Sequence, residues 1–244
     1  MLRVALLGVL VAAALGCRAK GPAPGAIAFQ ISARHSPEAA AAGARAPLVY
    51  SDSFVAQGRD TIFLRRVQLV LAEMAIAPSV SNECEEEEGE DNPPCVEFQD
   101  DPMVLEVPLG RGPVFHSARR APATDYNLFQ LIVHKTDPGQ DTALLRANPD
   151  LAGASVRVQG VLSRGGSRHD FTFTSAFNEQ EEIALEPAMV VLAHDTLRVT
   201  LNVDVGSWFT SGDRRSLLDP ATAAPGAANE HTVKDNIRTS LKVF

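Results

Sequence analysis

The sequence predicts a mainly β fold, an antiparallel β-sandwich with a C-terminal α-helix packed on it. Three observations carry that prediction. Apolar and polar residues alternate along several short runs, the period of strands with one buried face; a face left to water on one side belongs to antiparallel sheets. Turns containing Gly or Pro separate the runs. Near the end of the chain, Val233, Ile237, Leu241 and Phe244 recur at helical spacing and form one apolar stripe.

The first element is not part of the sandwich. After Met1-Leu2-Arg3, residues 4–15 are all apolar or small. A membrane span needs about 20 apolar residues, so this run fits the hydrophobic core of a secretory signal. It ends Ala14-Leu15-Gly16-Cys17. That ending resembles the bacterial lipobox, with Ala14 where Leu is commoner. The resemblance implies cleavage before Cys17, lipidation of that cysteine and a cell-envelope protein held to a membrane. Each buried CH2 of such chains contributes about 0.8 kcal/mol. By the sorting rule of such lipoproteins, Arg18 rather than Asp at the next position implies the outer membrane. The chain thus divides into a signal (residues 1–16), a lipidated Pro/Gly-rich tether (17–26) and a sandwich domain (27–244) whose last part, 231–244, is the helix.

The sandwich strands are expected at 26–32, 61–77, 96–99, 103–107, 126–135, 155–163, 170–174, 188–193 and 197–205. The alternation is cleanest in the last, where Leu197, Val199, Leu201, Val203 and Val205 share a face. The run 61–77 is ambiguous. Val67, Leu69 and Leu71 lie on one face while Val70, Met74 and Ile76 lie on the other, so either both faces are covered or a bulge switches the phase. Helix competes there through Ala72-Glu73-Met74-Ala75. Arg164-Gly165-Gly166-Ser167 predicts a hairpin, and 142–147 a short helix stopped before Pro149. Thr232 or Asn229 is the expected cap of the last helix.

Charge and cysteine content narrow the chemistry. The full chain carries 22 Lys and Arg against 30 Asp and Glu. That acidity argues against nucleic acid, which is bound through clustered basic residues. Of three cysteines, Cys17 is claimed by the lipid, leaving Cys84 and Cys95 to pair in an oxidising compartment. Closing so short a loop would contribute roughly 2–3 kcal/mol in the chain-entropy account. The alternative use of both thiolates, a metal site, lacks a second Cys pair or nearby His.

Three groups of residues are candidates for function. Glu83, Glu85, Glu86, Glu87, Glu88, Glu90 and Asp91 put seven acids into nine residues beside Cys84, with Asp100 and Asp101 following. Calcium takes six to eight oxygen ligands, yet this run lacks the Gly or Asn rhythm of a loop that wraps an ion, and a solvated acidic surface is the alternative. His35, His116, His134, His169, His194 and His231 show no metal-binding spacing, so a copper or zinc site would have to be assembled by folding. Trp208-Phe209 is the candidate binding surface, an aromatic platform for a glycan or a partner; its competing role is a plug at the end of the sandwich. No G-x-S-x-G elbow or Gly-rich phosphate loop occurs.

Three further stretches carry a family resemblance: Arg66-Val67-Gln68-Leu69-Val70-Leu71 with Val104-Leu105-Glu106-Val107-Pro108-Leu109-Gly110; Pro122-Ala123-Thr124-Asp125-Tyr126; and Val203-Asp204-Val205-Gly206-Ser207-Trp208-Phe209 with Leu218-Asp219-Pro220 and Asp235-Asn236-Ile237. Together they resemble uncharacterised bacterial exported lipoproteins with a transthyretin-like or immunoglobulin-like sandwich, over most of 60–244. A more distant similarity is to methanobactin-associated periplasmic copper-binding proteins, whose metal residues have no counterparts here. The expectation is a non-catalytic envelope lipoprotein, without a resident cofactor, that binds an envelope protein or glycan. The alternative is a lipoprotein that binds calcium, copper or zinc.

Overall fold

The computed structural model describes residues 23–33, 48–50, 54–57, 59–78 and 95–244. In chain order they form β1 (Gly25–Ser32), β2 (Leu48–Tyr50), β3 (Phe54–Gln57), β4 (Asp60–Ala77), β5 (Val96–Gln99), β6 (Met103–Glu106), β7 (Val114–Ala121) and β8 (Asp125–Val133). Then come α1 (Thr142–Ala147), β9 (Val156–Arg164), β10 (Ser167–Ser175), β11 (Glu179–Val190), β12 (Thr196–Val203), α2 (Glu230–Thr239) and β13 (Leu241–Val243). The protein is mainly β, and its two sheets are not closed into a barrel. One sheet has the order β13-β12-β1-β7; the other has nine strands built around β4.

Strand β4 resolves the ambiguity of its sequence. Ile62 and Leu64 face the core first, then Val67, Leu69 and Leu71, then Met74 and Ile76. The facing set changes from even to odd and back to even. Each change coincides with a register irregularity, one between Leu64 and Arg66 and one between Ala72 and Ala75. A bulge inserts a residue and so flips the phase of the strand beyond it. At the second, Glu73 takes a positive φ of 49° and its N–H bonds Asp100 O at 3.1 Å. Both faces are also covered near the far end, where Val70, Ala72, Ala75 and Ala77 are buried. Helix loses because both edges of this segment are paired. β9 and then β8 run along one edge, while β3, β6 and β5 occupy the other.

The sheets share one apolar core. Ile27, Phe29 and Ile31 of β1 and Val199, Leu201 and Val203 of β12 supply one side; β4 and Phe129, Leu131 and Val133 of β8 supply the other. Three rings bridge the sheets, Phe29 stacking on Phe98 at 5.0 Å and on Phe129 at 5.7 Å. At one seam between the sheets, Arg119 of β7 donates to the carbonyls of Glu97 and Phe98 on β5.

Several elements differ from their sequence-based expectation. β1 and β12 are parallel, in a sandwich otherwise paired antiparallel. β7 gave no signal because an edge strand half in water needs no buried alternation; Val114 and Phe115 are exposed. β11 begins nine residues before the expected 188, since Glu179, Gln180, Glu181 and Glu182 read as loop while their backbones pair with β8. Val205 belongs to a 3-10 turn, Val205–Ser207, that follows β12. Gly25, expected in the tether, already belongs to β1.

The expected helix 231–244 is shorter than its stripe. α2 ends at Thr239, and Leu241–Val243 turns into β13 on the edge of β12. Leu241 is buried by strand register opposite Val203, whereas Phe244 is 62% exposed. The helix stops where its last turn is held. Trp208 Nε1 donates to Ser240 Oγ at 2.8 Å, Ser240 Oγ donates to Ile237 O at 2.6 Å, and Asp204 N–H bonds Ser240 O at 3.1 Å. Asn229 stands at the N-terminus of α2, but its side chain donates to Thr222 Oγ1 at 2.7 Å instead of capping; Thr232 lies within the helix.

Two substitutions test this framework. A Cβ at Gly160 would collide with the Phe63 carbonyl and the Phe171 ring, so Gly160→Ala is expected to destabilise the fold by about 2 kcal/mol or more. Ser240→Ala leaves the buried indole N–H of Trp208 without its acceptor, at a cost of about 1–3 kcal/mol. Urea unfolding of each protein measures both, and wild-type midpoints would contradict them.

Candidate functional site

The end of the sandwich where the chain enters is built from the start of β1, the loop between β11 and β12 and the turn from β7 into β8. Pro24 O accepts from His194 N at 3.3 Å, and Ala26 N–H donates to Asp195 O at 2.9 Å. These bonds pin the loop between β11 and β12 against the start of β1. Gly25 makes the close approach feasible, because a Cβ there would collide with Leu192 O and Val191 Cγ1. His194 takes a φ of 63°, which turns the loop back toward β1. Beside it, β7 delivers Ala121 opposite Gly25, and the chain turns through Pro122 to β8. Tyr126 closes that turn, its buried hydroxyl donating to Pro122 O at 3.2 Å. Burial pushes this phenol up to about 12, so it stays a donor. The same local bond marks the tyrosine corner of immunoglobulin-like sandwiches.

Cys95 lies at this end, immediately before Val96, which pairs with Ile76 of β4. It is disulfide-bonded. Cys84, its expected partner, lies outside the described residues, as do Cys17, His35 and the seven acids from Glu83 to Asp91. β4 ends at Ala77 and Cys95 stands just before β5. Asp100 and Asp101 are exposed at the turn between β5 and β6.

Trp208 and Phe209 are not an exposed platform. Trp208 is 0% and Phe209 1% accessible. Phe209 meets Phe173 edge-on at 5.2 Å and Phe171 at 5.8 Å. Asn236 of α2 donates to both Trp208 O and Thr210 O, at 3.0 and 2.7 Å. Their plug role comes from the 3-10 turn, which folds the pair under α2 and away from water. Alternation along β12 could not reveal it, because the turn breaks the period.

The histidines are dispersed. His116 packs edge-on against Phe29 at 5.7 Å; burial, with a smaller push from Arg119, lowers its pKa. His169 and His194 are exposed, and the exposed His231 pairs along α2 with Asp235 at 3.2 Å. At the opposite end of β8, His134 Nε2 lies 2.8 Å from Asp141 Oδ2, which also accepts the Asp137 N–H at 2.7 Å. This group closes the turn into α1. No three His, Cys, Asp or Glu side chains converge on a metal-binding geometry among the described residues, nor is any described helix long and apolar enough to cross a membrane.

The chain matches no protein-family model, no curated protein and no solved structure. What the molecule offers is therefore carried by its own geometry: a mainly β sandwich whose entry end is fixed by backbone bonds between the start of β1 and the loop after β11.

The His134–Asp141 turn predicts a pH response. Burial alone would raise the Asp141 carboxyl, but the Asp137 N–H and the His134 ring together outweigh it and hold the pKa below the usual value. A depressed carboxyl stabilises the fold above its unfolded pKa of about 3.9, and the stabilisation is lost as pH falls through the lower folded value. Wild type should be more stable than Asp141→Asn near neutral pH, and the two thermal midpoints should converge on acidification below about pH 4. A constant gap between the midpoints would remove the carboxylate from the account.

Proposed function

We propose that the protein is a non-catalytic, lipid-anchored module of the bacterial cell envelope, probed most directly at Cys17. The mature chain would begin at that cysteine, carry acyl groups there and hold its β-sandwich on the outer membrane. The observation that carries this reading is the short distance between the lipobox-like Ala14-Leu15-Gly16-Cys17 and the first described residues. Seven residues on from Cys17 stands Pro24, already bonded into the fold.

The loops and sheet edges would then do the work of binding, and the partner is an envelope protein or a glycan. Sheet edges can pair with an added strand, and loops supply side-chain contacts. Several described polar groups have structural tasks. His134 and Asp141 hold a turn, Ser155 Oγ bonds Ser175 O and the Phe177 N–H, and Ser240 secures Trp208. A net charge of −8 for the chain disfavours nucleic acid as the partner. Cys84 is the proposed disulfide partner of Cys95, suited to an oxidising compartment.

Expression in a bacterium with radiolabelled palmitate tests the anchor. Wild type should incorporate label and sediment with membranes, while Cys17→Ser should lose the label and move to the soluble fraction after cell disruption. Equal membrane retention of both proteins would overturn the reading. Non-reducing peptide mapping should place Cys84 and Cys95 in one crosslinked fragment; two free thiols would remove the disulfide.

A further inference from the structure

The last residue of β11 and the loop that follows it turn two large apolar side chains to solvent at the end where the chain enters the fold. Val190 is 50% and Leu192 59% exposed, while Val191 between them is 2% exposed. Extended chain alternates its side chains, so burying Val191 sends both neighbours outward together. Their position is not left to chance. The 3.3 Å bond from His194 N–H to Pro24 O, the 2.9 Å bond from Ala26 N–H to Asp195 O and the close approach of Gly25 fasten the loop to the chain's entry.

Covalent reach then decides what lies opposite. Seven peptide steps separate Cys17 from Pro24, and a fully extended chain covers at most about 3.6 Å per residue, or roughly 25 Å in all. Whatever path residues 18–23 take, Leu192 cannot move far from the acylated cysteine. The opposite end of the nine-stranded sheet is distant by comparison, since the 18 residues of β4 extend up to about 60 Å.

We propose that Val190 and Leu192 insert into the boundary between headgroups and acyl chains of the bilayer that holds the lipid on Cys17. This second apolar contact orients the sandwich, with the Ala77 end of β4 on the membrane and the Asp60 end directed away. The proposal rests on the lipoprotein reading and adds the surface through which the domain meets the lipid. The contact is apolar rather than electrostatic. Exposed Arg120 and Arg198 are matched by exposed Asp125 and Asp195. Such a mixed rim gives no preference for anionic headgroups, so a zwitterionic bilayer is the appropriate surface.

The test uses the full lipoprotein, purified from membranes and reconstituted into phosphatidylcholine vesicles with brominated acyl chains, which quench tryptophan only within the bilayer. Leu192→Trp and Val190→Trp place reporters in the loop and on the last residue of β11 before it, and Phe63→Trp places one on β4 near its Asp60 end. All three positions are exposed, so none disturbs the core, and the buried Trp208 is a common background subtracted with the parent protein. With the acyl modification on Cys17 verified by mass, both loop reporters should be quenched at least about fivefold more than the reporter at 63, and their emission should shift to the blue. Equal quenching at the three positions in acylated protein would overturn the insertion while leaving the lipid anchor standing. Absence of any acyl group on Cys17 would overturn the anchor itself, and the insertion with it.

Discussion

Everything in this fold depends on β4 being hydrogen-bonded along both edges. A single strand of 18 residues carries β9 and β8 on one side and β3, β6 and β5 on the other. Such a strand cannot remain flat and regular while feeding one core, because sheets twist. Its two bulges reset which side chains point inward, so that Ile62 and Leu64, then Val67 through Leu71, then Met74 and Ile76 all reach the same interior. Double-sided pairing also fixes the identity of neighbours. Gly160 faces β4 with no Cβ because Phe63 O and the Phe171 ring occupy that space. The four-stranded sheet closes over the interior through Phe29, Phe98 and Phe129, three rings whose stacking spans the two layers.

Sharing one long strand gives the molecule two unlike ends. Around Asp60, the hairpin between β9 and β10 is tied down by Arg164, which reaches Asp60 at 3.3 Å, Asp219 at 3.7 Å and Leu217 O at 3.0 Å. Around Ala77, the chain enters at Pro24 and Tyr126 locks the turn into β8. The second end lies seven residues along the chain from Cys17, and that asymmetry would give the proposed anchor a direction. A module held there would leave its remaining edges and loops for a partner.

Alternation made much of the sandwich legible. The hairpin at 164–167, the short helix at 142–147 and the strand at 96–99 need only local chemistry: two glycines at positive φ, a helical stretch before a proline, and an apolar-polar rhythm. The candidate site was less visible. Trp208-Phe209 was a candidate surface with the core plug as the favoured competing role, and no local feature of an aromatic pair after a strand decides which way it folds; the bonds to Ser240 and Asn236, 32 and 28 residues away from Trp208, make the choice. Val190 and Leu192 were hidden inside an apolar run that reads as buried strand. The burial of Val191 between them turns both outward.

By itself the sequence determined the strand-rich character, the export-like N-terminus, the acidic balance and the capacity for an amphipathic helix near the C-terminus. Each is a property of neighbouring residues, or of composition, and survives without knowledge of the fold. Tertiary structure alone decided the parallel pairing of β1 with β12, the bulges that switch β4 from face to face, and the end of α2 at Thr239, where β12 offers a free edge to Leu241–Val243. Those outcomes depend on backbone hydrogen bonds between segments far apart in the chain, and a backbone donor or acceptor leaves no mark on the side chains by which a sequence is read.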